Sequence, residues 1–219
     1  MAEHPIFEAL RSKDAAGLRE ILRRYPNAIG ARNAEGVSPI SFARYARASE
    51  CLYLMLAMQP ELDVFEAATV GNYERVEWFE RQDPSQLYGW SPDGYTPLHL
   101  AAFFGHAKIA EELLDWGAEA ALASRNAMRV TPLHSAAAGR HAAVVELLIA
   151  GGADVNAQSA GGHTPLHSAA QNGDSTTAGL LLAAGAEPSI RDADGLTPAD
   201  MAGAAGHAEL AGRLRPPAR

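Results

Sequence analysis

A four-residue motif recurs along the chain at nearly constant spacing. Thr-Pro-Leu-His begins at Thr96, Thr131 and Thr164, and a relative, Thr-Pro-Ala-Asp, begins at Thr197. The spacings are 35, 33 and 33 residues, and downstream segments such as RHAAVVELLIAGGAD recur with them. Self-similarity over a whole period of this length is typical of repeat architectures, in which each unit buries its core against its neighbours.

Each repeat carries the start and stop signals of two short helices. Thr can cap a helix, and Pro suits the first helical position because no N–H donor is needed there. Leu and an Ala-Ala pair follow at helical spacing, and a glycine such as Gly105 or Gly173 ends the helix. A second apolar helix and a Gly-rich tight turn complete the unit. The pattern predicts an all-α chain of helix–turn–helix units joined by hairpin turns.

These motifs closely resemble the ankyrin repeat family, whose period and signature they share. The resemblance implies an ankyrin-repeat solenoid with hairpin turns projecting to one side. We expect a single domain over residues 1–215 and a disordered tail at 216–219. About six repeats are predicted near 5–37, 38–62, 63–94, 95–129, 130–162 and 163–195, with a C-terminal cap at 196–215.

Two departures from the repeat pattern stand out. The matching first-helix positions Ile40 and Val64 lie only 24 residues apart, which predicts that most of a hairpin is missing between repeats two and three. The 35-residue repeat has two extra residues, which we place near Ala120 and Ala121. Arg129 stands where other repeats have glycine, so we expect a different turn type there.

Composition and charge exclude several function classes. A net charge of -8 argues against general nucleic-acid binding. No apolar run is long enough to span a membrane, and the start has no secretory signal pattern. We therefore expect a cytoplasmic monomer, and the Ala-, Arg- and Gly-rich composition favours a bacterial source. Cys51, the one cysteine, lies in an apolar run and is expected to be buried.

The residue types that suggest chemistry have structural interpretations. His99, His134 and His167 share the TPLH slot, where the family resemblance implies hydrogen bonds that support the turn and the next repeat. Equivalent residues in stacked repeats are too far apart to share one metal ion. The acidic pairs Glu111/Glu112 and Asp192/Asp194 are expected to be solvated surface. With no catalytic or phosphate-binding motif present, we predict a non-enzyme without cofactor or metal.

We expect the binding residues at positions that are not needed for capping, turning or stacking the repeats. The family resemblance implies a protein partner that docks on the hairpin tips and the inner face of the first helices. Residues 48–122 carry three basic against thirteen acidic side chains, which favours a partner with a basic or apolar–basic segment. The predicted contact residues are Trp90, Tyr95, Phe103 and Phe104, then Tyr45, Arg125 and Met128.

Alternatives remain open for both the aromatic residues and the function. The rings at 90–104 are either an exposed anchor for a partner or infill of a groove left by the missing hairpin, with Leu87 and Tyr88 joining them. The chain is a general adaptor, a specific inhibitor or chaperone of one enzyme, or a secreted effector that binds host proteins. An enzyme is the least favoured alternative and would need a deep pocket with a perturbed carboxylate or histidine.

Overall fold

The computed structural model describes residues 3–215, and within that range the chain forms fourteen α-helices and no strands. The all-α prediction is therefore confirmed, and the predicted tail at 216–219 lies outside the described residues. First and second helices alternate along the chain. The first helices are α1 (Pro5–Arg11), α3 (Pro39–Tyr45), α5 (Val64–Val70), α7 (Pro97–Phe104), α9 (Pro132–Gly139), α11 (Pro165–Gln171) and α13 (Pro198–Ala204). The second helices are α2 (Ala15–Arg24), α4 (Ser49–Leu56), α6 (Tyr73–Gln82), α8 (Ala107–Asp115), α10 (Ala142–Ala150), α12 (Ser175–Ala183) and α14 (Ala208–Leu214).

The helix boundaries follow from the capping residues. Thr96 is the N-cap of α7, where its hydroxyl accepts a hydrogen bond from the backbone N–H of His99, and Pro97 is the first helical residue. Gly105 ends the helix with a φ of 79°, a conformation that glycine adopts without a steric penalty. Ala101 and Ala102 between them are fully buried. Small side chains at these positions let the next first helix pack closely.

Two compact units divide the chain, and we call them the N-terminal and C-terminal units. The first ends at Gly94 and the second begins at Tyr95, the predicted boundary between repeats three and four. In the N-terminal unit α1, α3 and α5 stack in succession, and α2 packs on α4. In the C-terminal unit α7, α9, α11 and α13 stack, as do α8, α10 and α12. The single domain and the repeat count stay predictions.

Each unit has its own apolar core. The second helices contribute one apolar face to it, and the first helices contribute leucine and alanine. The largest fully buried side chains of the N-terminal unit include Ile6, Phe7, Leu10, Leu18, Ile40, Met55 and Leu87. Those of the C-terminal unit include Leu98, Ile109, Leu113, Leu133 and Leu148.

The connection between α4 and α5 is half the usual length. Residues 57–63 alone join these helices, whereas residues 25–38 join α2 to α3 and residues 151–164 join α10 to α11. Asp63 caps α5 and forms a capping box with Glu66. The hairpin predicted to be missing between repeats two and three is therefore absent from this connection.

The two extra residues of the long repeat lie in a hairpin tip. Ordinary hairpins close with a bond from an N–H to the carbonyl four residues later, as in Asn33 to Val37, Ser159 to His163 and Asp192 to Leu196. Before α9 the corresponding bond joins the Ser124 N–H to the Val130 carbonyl over 2.7 Å. The predicted position near Ala120 and Ala121 is therefore wrong. A solvent-exposed tip absorbs an insertion without disturbing helix packing.

Candidate functional site

Each TPLH histidine links its own helix cap to the following hairpin. In His134, Nδ1 accepts a hydrogen bond from the backbone N–H of Thr131 over 3.2 Å and lies 2.8 Å from the Thr131 hydroxyl. Because Nδ1 is an acceptor, Nε2 carries the proton and donates to the carbonyl oxygen of His163 over 2.8 Å. His99 and His167 repeat this arrangement in their own repeats. The predicted structural role of these histidines is confirmed.

Burial keeps the three imidazoles neutral. Desolvation lowers the pKa of His99 to about 4 and lowers the pKa of both His134 and His167. Both ring nitrogens of each residue are engaged in hydrogen bonds. These side chains are therefore occupied in holding the hairpins in place, and the rigid hairpins in turn position the exposed residues at their tips.

Of the acidic pair at 192 and 194, Asp194 is exposed as expected, whereas Asp192 is buried and serves a hairpin. Asp192 is buried, and its Oδ1 accepts hydrogen bonds from the backbone N–H groups of Asp194 and Leu196 over 3.0 and 2.8 Å. Its Oδ2 lies 3.2 Å from Nε2 of His163. The expectation of a solvated carboxylate is wrong for Asp192, because the side chain closes the turn that its own backbone makes.

Among residues 3–215, no group of three or more His, Cys, Asp and Glu side chains is arranged to hold a metal ion. Over the same range no helix is both long enough and apolar enough to cross a bilayer. Cys51 is buried as predicted, and desolvation raises the pKa of its thiol, the opposite of what a reactive thiolate needs.

The lengthened hairpin of residues 124–130 presents two of the predicted contact residues. Arg125 is exposed, and Met128 has 53% of its surface exposed. Asn126 supports the tip, because its Oδ1 accepts a hydrogen bond from the backbone N–H of Met128 over 3.1 Å. Arg129 has a φ of 49°, so it adopts the same left-handed conformation as the equivalent glycines Gly36, Gly94, Gly162 and Gly195. This turn differs from the others by its two extra residues.

Neighbouring hairpins in the C-terminal unit are bonded to one another. The backbone N–H of Ala160 donates to the carbonyl of Met128 over 2.9 Å, and the N–H of Ala193 donates to the carbonyl of Gly161 over 2.9 Å. Three successive tips therefore form one connected edge. Leu196, which follows the last tip, has 40% of its surface exposed.

The predicted contact residues of repeat four lie on and before α7. Phe103 has 39% of its surface exposed, whereas Phe104 and Tyr95 are half-buried. The rings of Phe103 and Phe104 meet edge to face with centroids 5.0 Å apart, and the Tyr95 ring lies 5.8 Å from that of His99. Phe103 is therefore the most exposed ring of repeat four, beside the half-buried ring of Phe104.

Two further predicted residues, Tyr45 and Trp90, belong to the N-terminal unit. Both are half-buried. The Tyr45 hydroxyl donates a hydrogen bond to Oδ2 of Asp93 over 3.0 Å. A β-carbon on Gly36 would lie 2.6 Å from Cβ of Pro92, so the hairpin of repeat two directly touches the 91–94 hairpin. These contacts bridge the position of the missing hairpin.

The predicted residues thus fall into two groups. Tyr95, Phe103, Phe104, Arg125 and Met128 lie in the C-terminal unit, and Tyr45 and Trp90 lie in the N-terminal unit. The two residues suggested as extra infill behave differently, since Leu87 is buried and Tyr88 has 45% of its surface exposed.

Exposed apolar side chains on the second helices were missed by the sequence reasoning. Tyr53 on α4 and Trp78 on α6 are exposed, as is Met58 just after α4. The spacing along the helix points to Trp78. Val76 is buried, and a residue two positions later lies on a different face of the same helix. Glu66, one of the thirteen acidic residues of 48–122, is buried and adds no exposed negative charge.

Comparison with known proteins agrees with this geometry. The family model described as ankyrin repeats (3 copies) matches residues 64–159 and 133–215. A search of curated proteins found no match to the chain. The matched ranges include the four helix pairs of the C-terminal unit, together with α5 and α6.

Proposed function

The chain belongs to the ankyrin repeat family, and from that premise we propose that it is a non-catalytic module whose partner protein docks on the hairpin tips and first-helix faces. Ankyrin repeats are generally protein–protein interaction modules. The proposal includes what the sequence predicts of the setting: a monomer working in the cytoplasm of a bacterium, without nucleic acid or cofactor.

The exposure of Phe103 carries the proposal. It is the one residue of the predicted aromatic set whose side chain is openly exposed among the described residues. At the positions equivalent to Phe103 the next two repeats have Ala138 and Gln171. The scaffold therefore does not need a large ring there, and burial in a partner would remove its apolar surface from water.

The hydrogen-bonded hairpins support a rigid mode of binding. The tips at Met128, Ala160 and Ala193 are joined by backbone hydrogen bonds, and the TPLH histidines hold each hairpin to its helix. A surface that is already ordered loses little conformational entropy on association. Affinity would then depend on anchors such as Phe103 and Met128, with the surrounding contacts excluding water.

The proposed partner carries a basic or apolar–basic segment. Residues 48–122 have a net charge of -10, and opposite charge on a partner accelerates association. Glu66 does not contribute to this attraction because its side chain is buried. Glu74, Glu77 and Asp83, which precede the aromatic residues Trp90, Tyr95, Phe103 and Phe104 in sequence, are half-buried or exposed.

Affinity capture from the native organism tests the proposal. Wild-type chain is compared with the Trp90→Ala/Phe104→Ala and Phe103→Ala/Met128→Ala variants. Tyr25→Ala serves as a control, because Tyr25 is exposed but lies outside the proposed surface. We expect the two double variants to lose a partner that wild type and the control retain. Capture by all four proteins alike would contradict the proposed surface.

Thermal unfolding of the same variants separates anchor from infill. An anchor role predicts that Trp90→Ala and Phe104→Ala leave the melting temperature within a few degrees of wild type. A large drop for both would favour infill of the shortened connection. The same measurement shows whether any loss of partner reflects unfolding.

A further inference from the structure

The stack of second helices is interrupted between α4 and α6. In the N-terminal unit α2 packs on α4, and in the C-terminal unit α8 packs on α10 and α10 on α12. Within the described part of the chain, α4 and α6 share at most marginal contact. The interruption coincides with the short connection of residues 57–63.

A groove of about 520 Å³ occupies this position. One side is formed by the end of α4 and the connection, and the other by the turn between α5 and α6. The lining includes Leu56, Pro60, Leu62, Val70, Gly71 and Asn72. The volume falls within the range of about 300–1,000 Å³ that is usual for ligand sites in proteins.

Arg75 ties the connection of residues 57–63 to α6. Its Nε donates a hydrogen bond to the carbonyl oxygen of Leu62 over 2.8 Å. Its guanidinium group also lies 4.4 Å from the ring centroid of Trp78 and 4.8 Å from that of Phe79. The connection is thereby tied to α6 by one arginine, so the floor of the groove is supported from inside the unit.

Three large apolar side chains that are close in sequence to the residues lining the groove are exposed. Tyr53 has 79% of its surface exposed, Met58 44% and Trp78 45%. They lie on or next to the two helices that fail to pack. Tyr53 lies three positions before Leu56 on α4, and Trp78 contacts Arg75, which is bonded to Leu62. Exposed apolar side chains next to a groove favour an interaction surface.

The chain segment that contains the groove carries a strongly negative net charge. Residues 48–82 contain seven carboxylates and two arginines. Both arginines are already paired, Arg75 with Glu61 at 3.5 Å and Arg81 with Glu77 at 2.8 Å. Glu50, Glu74 and Glu80 form no salt bridge with other described residues, so α4 and α6 keep an excess of negative charge. That charge complements lysine and arginine on a partner.

We propose that this groove binds a segment of a partner protein in which leucine-like side chains are flanked by lysine or arginine. The apolar side chains enter between the end of α4 and the α5–α6 turn. The basic side chains lie against the carboxylates of the two flanking helices. This site is separate from the hairpin-tip surface and does not depend on it.

The test uses the full chain and a fluorescein-labelled peptide of alternating leucine and lysine. Fluorescence anisotropy measures its binding to wild type and to Glu50→Lys/Glu74→Lys, which reverses one exposed charge in the first turn of each flanking helix. The matched control is Glu146→Lys/Glu209→Lys, which makes the same charge change on second helices of the C-terminal unit. Leu56→Gln probes the apolar lining.

We expect saturable binding to wild type that weakens at high salt. Glu50→Lys/Glu74→Lys should raise the dissociation constant by about tenfold or more, and the control should change it by about twofold or less. Leu56→Gln should also weaken binding, whereas Phe103→Ala/Met128→Ala should not. A matching peptide with glutamate in place of lysine should not bind.

Three results would overturn the proposal. The first is no saturable binding to wild type. The second is equal weakening by the two charge-reversal variants, which would indicate attraction to the overall charge alone. The third is loss of binding in Phe103→Ala/Met128→Ala, which would place the peptide on the hairpin-tip surface and leave the proposed function standing. Thermal melts verify that the surface variants remain folded.

Discussion

The imidazole ring of His207 lies against the backbone of Gly173, so that a β-carbon there would sit 2.5 Å from Nδ1 of the ring. Gly173 also has a φ of 65°. Two separate constraints therefore require glycine at this position: the left-handed backbone and the histidine of the next helix pair. The same relationship recurs between Gly105 and His141.

Gly173→Ala should destabilise the chain more than Gly185→Ala. Gly185 has a φ of 93° but no atom within 4 Å of an added β-carbon, so its replacement costs only the backbone strain, about 1 kcal/mol. The clash with His207 should add about 1–2 kcal/mol at Gly173. Urea unfolding measures both values.

A double variant isolates the ring contact. In Gly173→Ala/His207→Ala the added β-carbon no longer meets an imidazole, so the loss should be smaller than the sum of the two single losses. Additive losses would show that the contact between ring and backbone carries no energy.

The stability of the chain should fall as the pH is lowered from about 6.5 to about 4. Burial lowers the pKa of His99 to about 4 and depresses those of His134 and His167, so the unfolded state binds protons first. Protonation of His99 in the unfolded state should by itself lower the free energy of unfolding by about 3 kcal/mol. Denaturant unfolding at a series of pH values measures the slope.

His134→Gln provides the comparison for this pH effect. Glutamine offers an acceptor and a donor but does not titrate, so the variant should be less stable at pH 7 and show a shallower loss in acid. A wild type whose stability is unchanged between pH 7 and pH 4.5 would contradict the neutral, buried histidines.

Glu66 should show the opposite pH trend. Desolvation raises the pKa of its carboxyl group, so its contribution is greatest below its unfolded pKa and declines as the pH rises through its folded value. Its side chain accepts a hydrogen bond from the N–H of Asp63 over 3.0 Å. Glu66→Gln keeps an acceptor without a buried charge and should gain stability relative to wild type as the pH rises.

Glu66→Ala is the control for the capping contact. It removes the bond to Asp63 and should cost about 1 kcal/mol at low pH, and less as the pH rises and the buried carboxylate of wild type ionises. If Glu66→Gln is as destabilised as Glu66→Ala at pH 7, the fold requires the ionised carboxylate itself. Its salt bridge with Arg32 at 3.8 Å would then explain that requirement.

Arg129→Gly should stabilise the lengthened hairpin. Arg129 has a φ of 49°, and glycine relieves the strain of a side chain in the left-handed region, a gain of up to about 1 kcal/mol. Ala127→Gly changes the same loop at a residue without positive φ and should be slightly destabilising. Thermal unfolding that ranks the two variants in the reverse order would contradict this account.

The repeat motif alone predicted the helix pairs and the role of the TPLH histidines. Capping by Thr96 and the start of α7 at Pro97 depend on residues a few positions apart, so local spacing is sufficient to place them. The histidine bonds also repeat with the motif, because each hairpin follows its helix at a nearly constant distance. The contact residues remain predictions, although Phe103 and Met128 are exposed as they require.

Features created by an irregularity were decided by tertiary structure. The sequence showed that a hairpin is missing after α4, but only the structure shows Tyr45 bonded to Asp93 across that position. It likewise buries Glu66 and leaves a groove beside Leu56. Burial of a side chain depends on which neighbours pack over it. Where a repeat departs from its period, the spacing no longer says which neighbours those are.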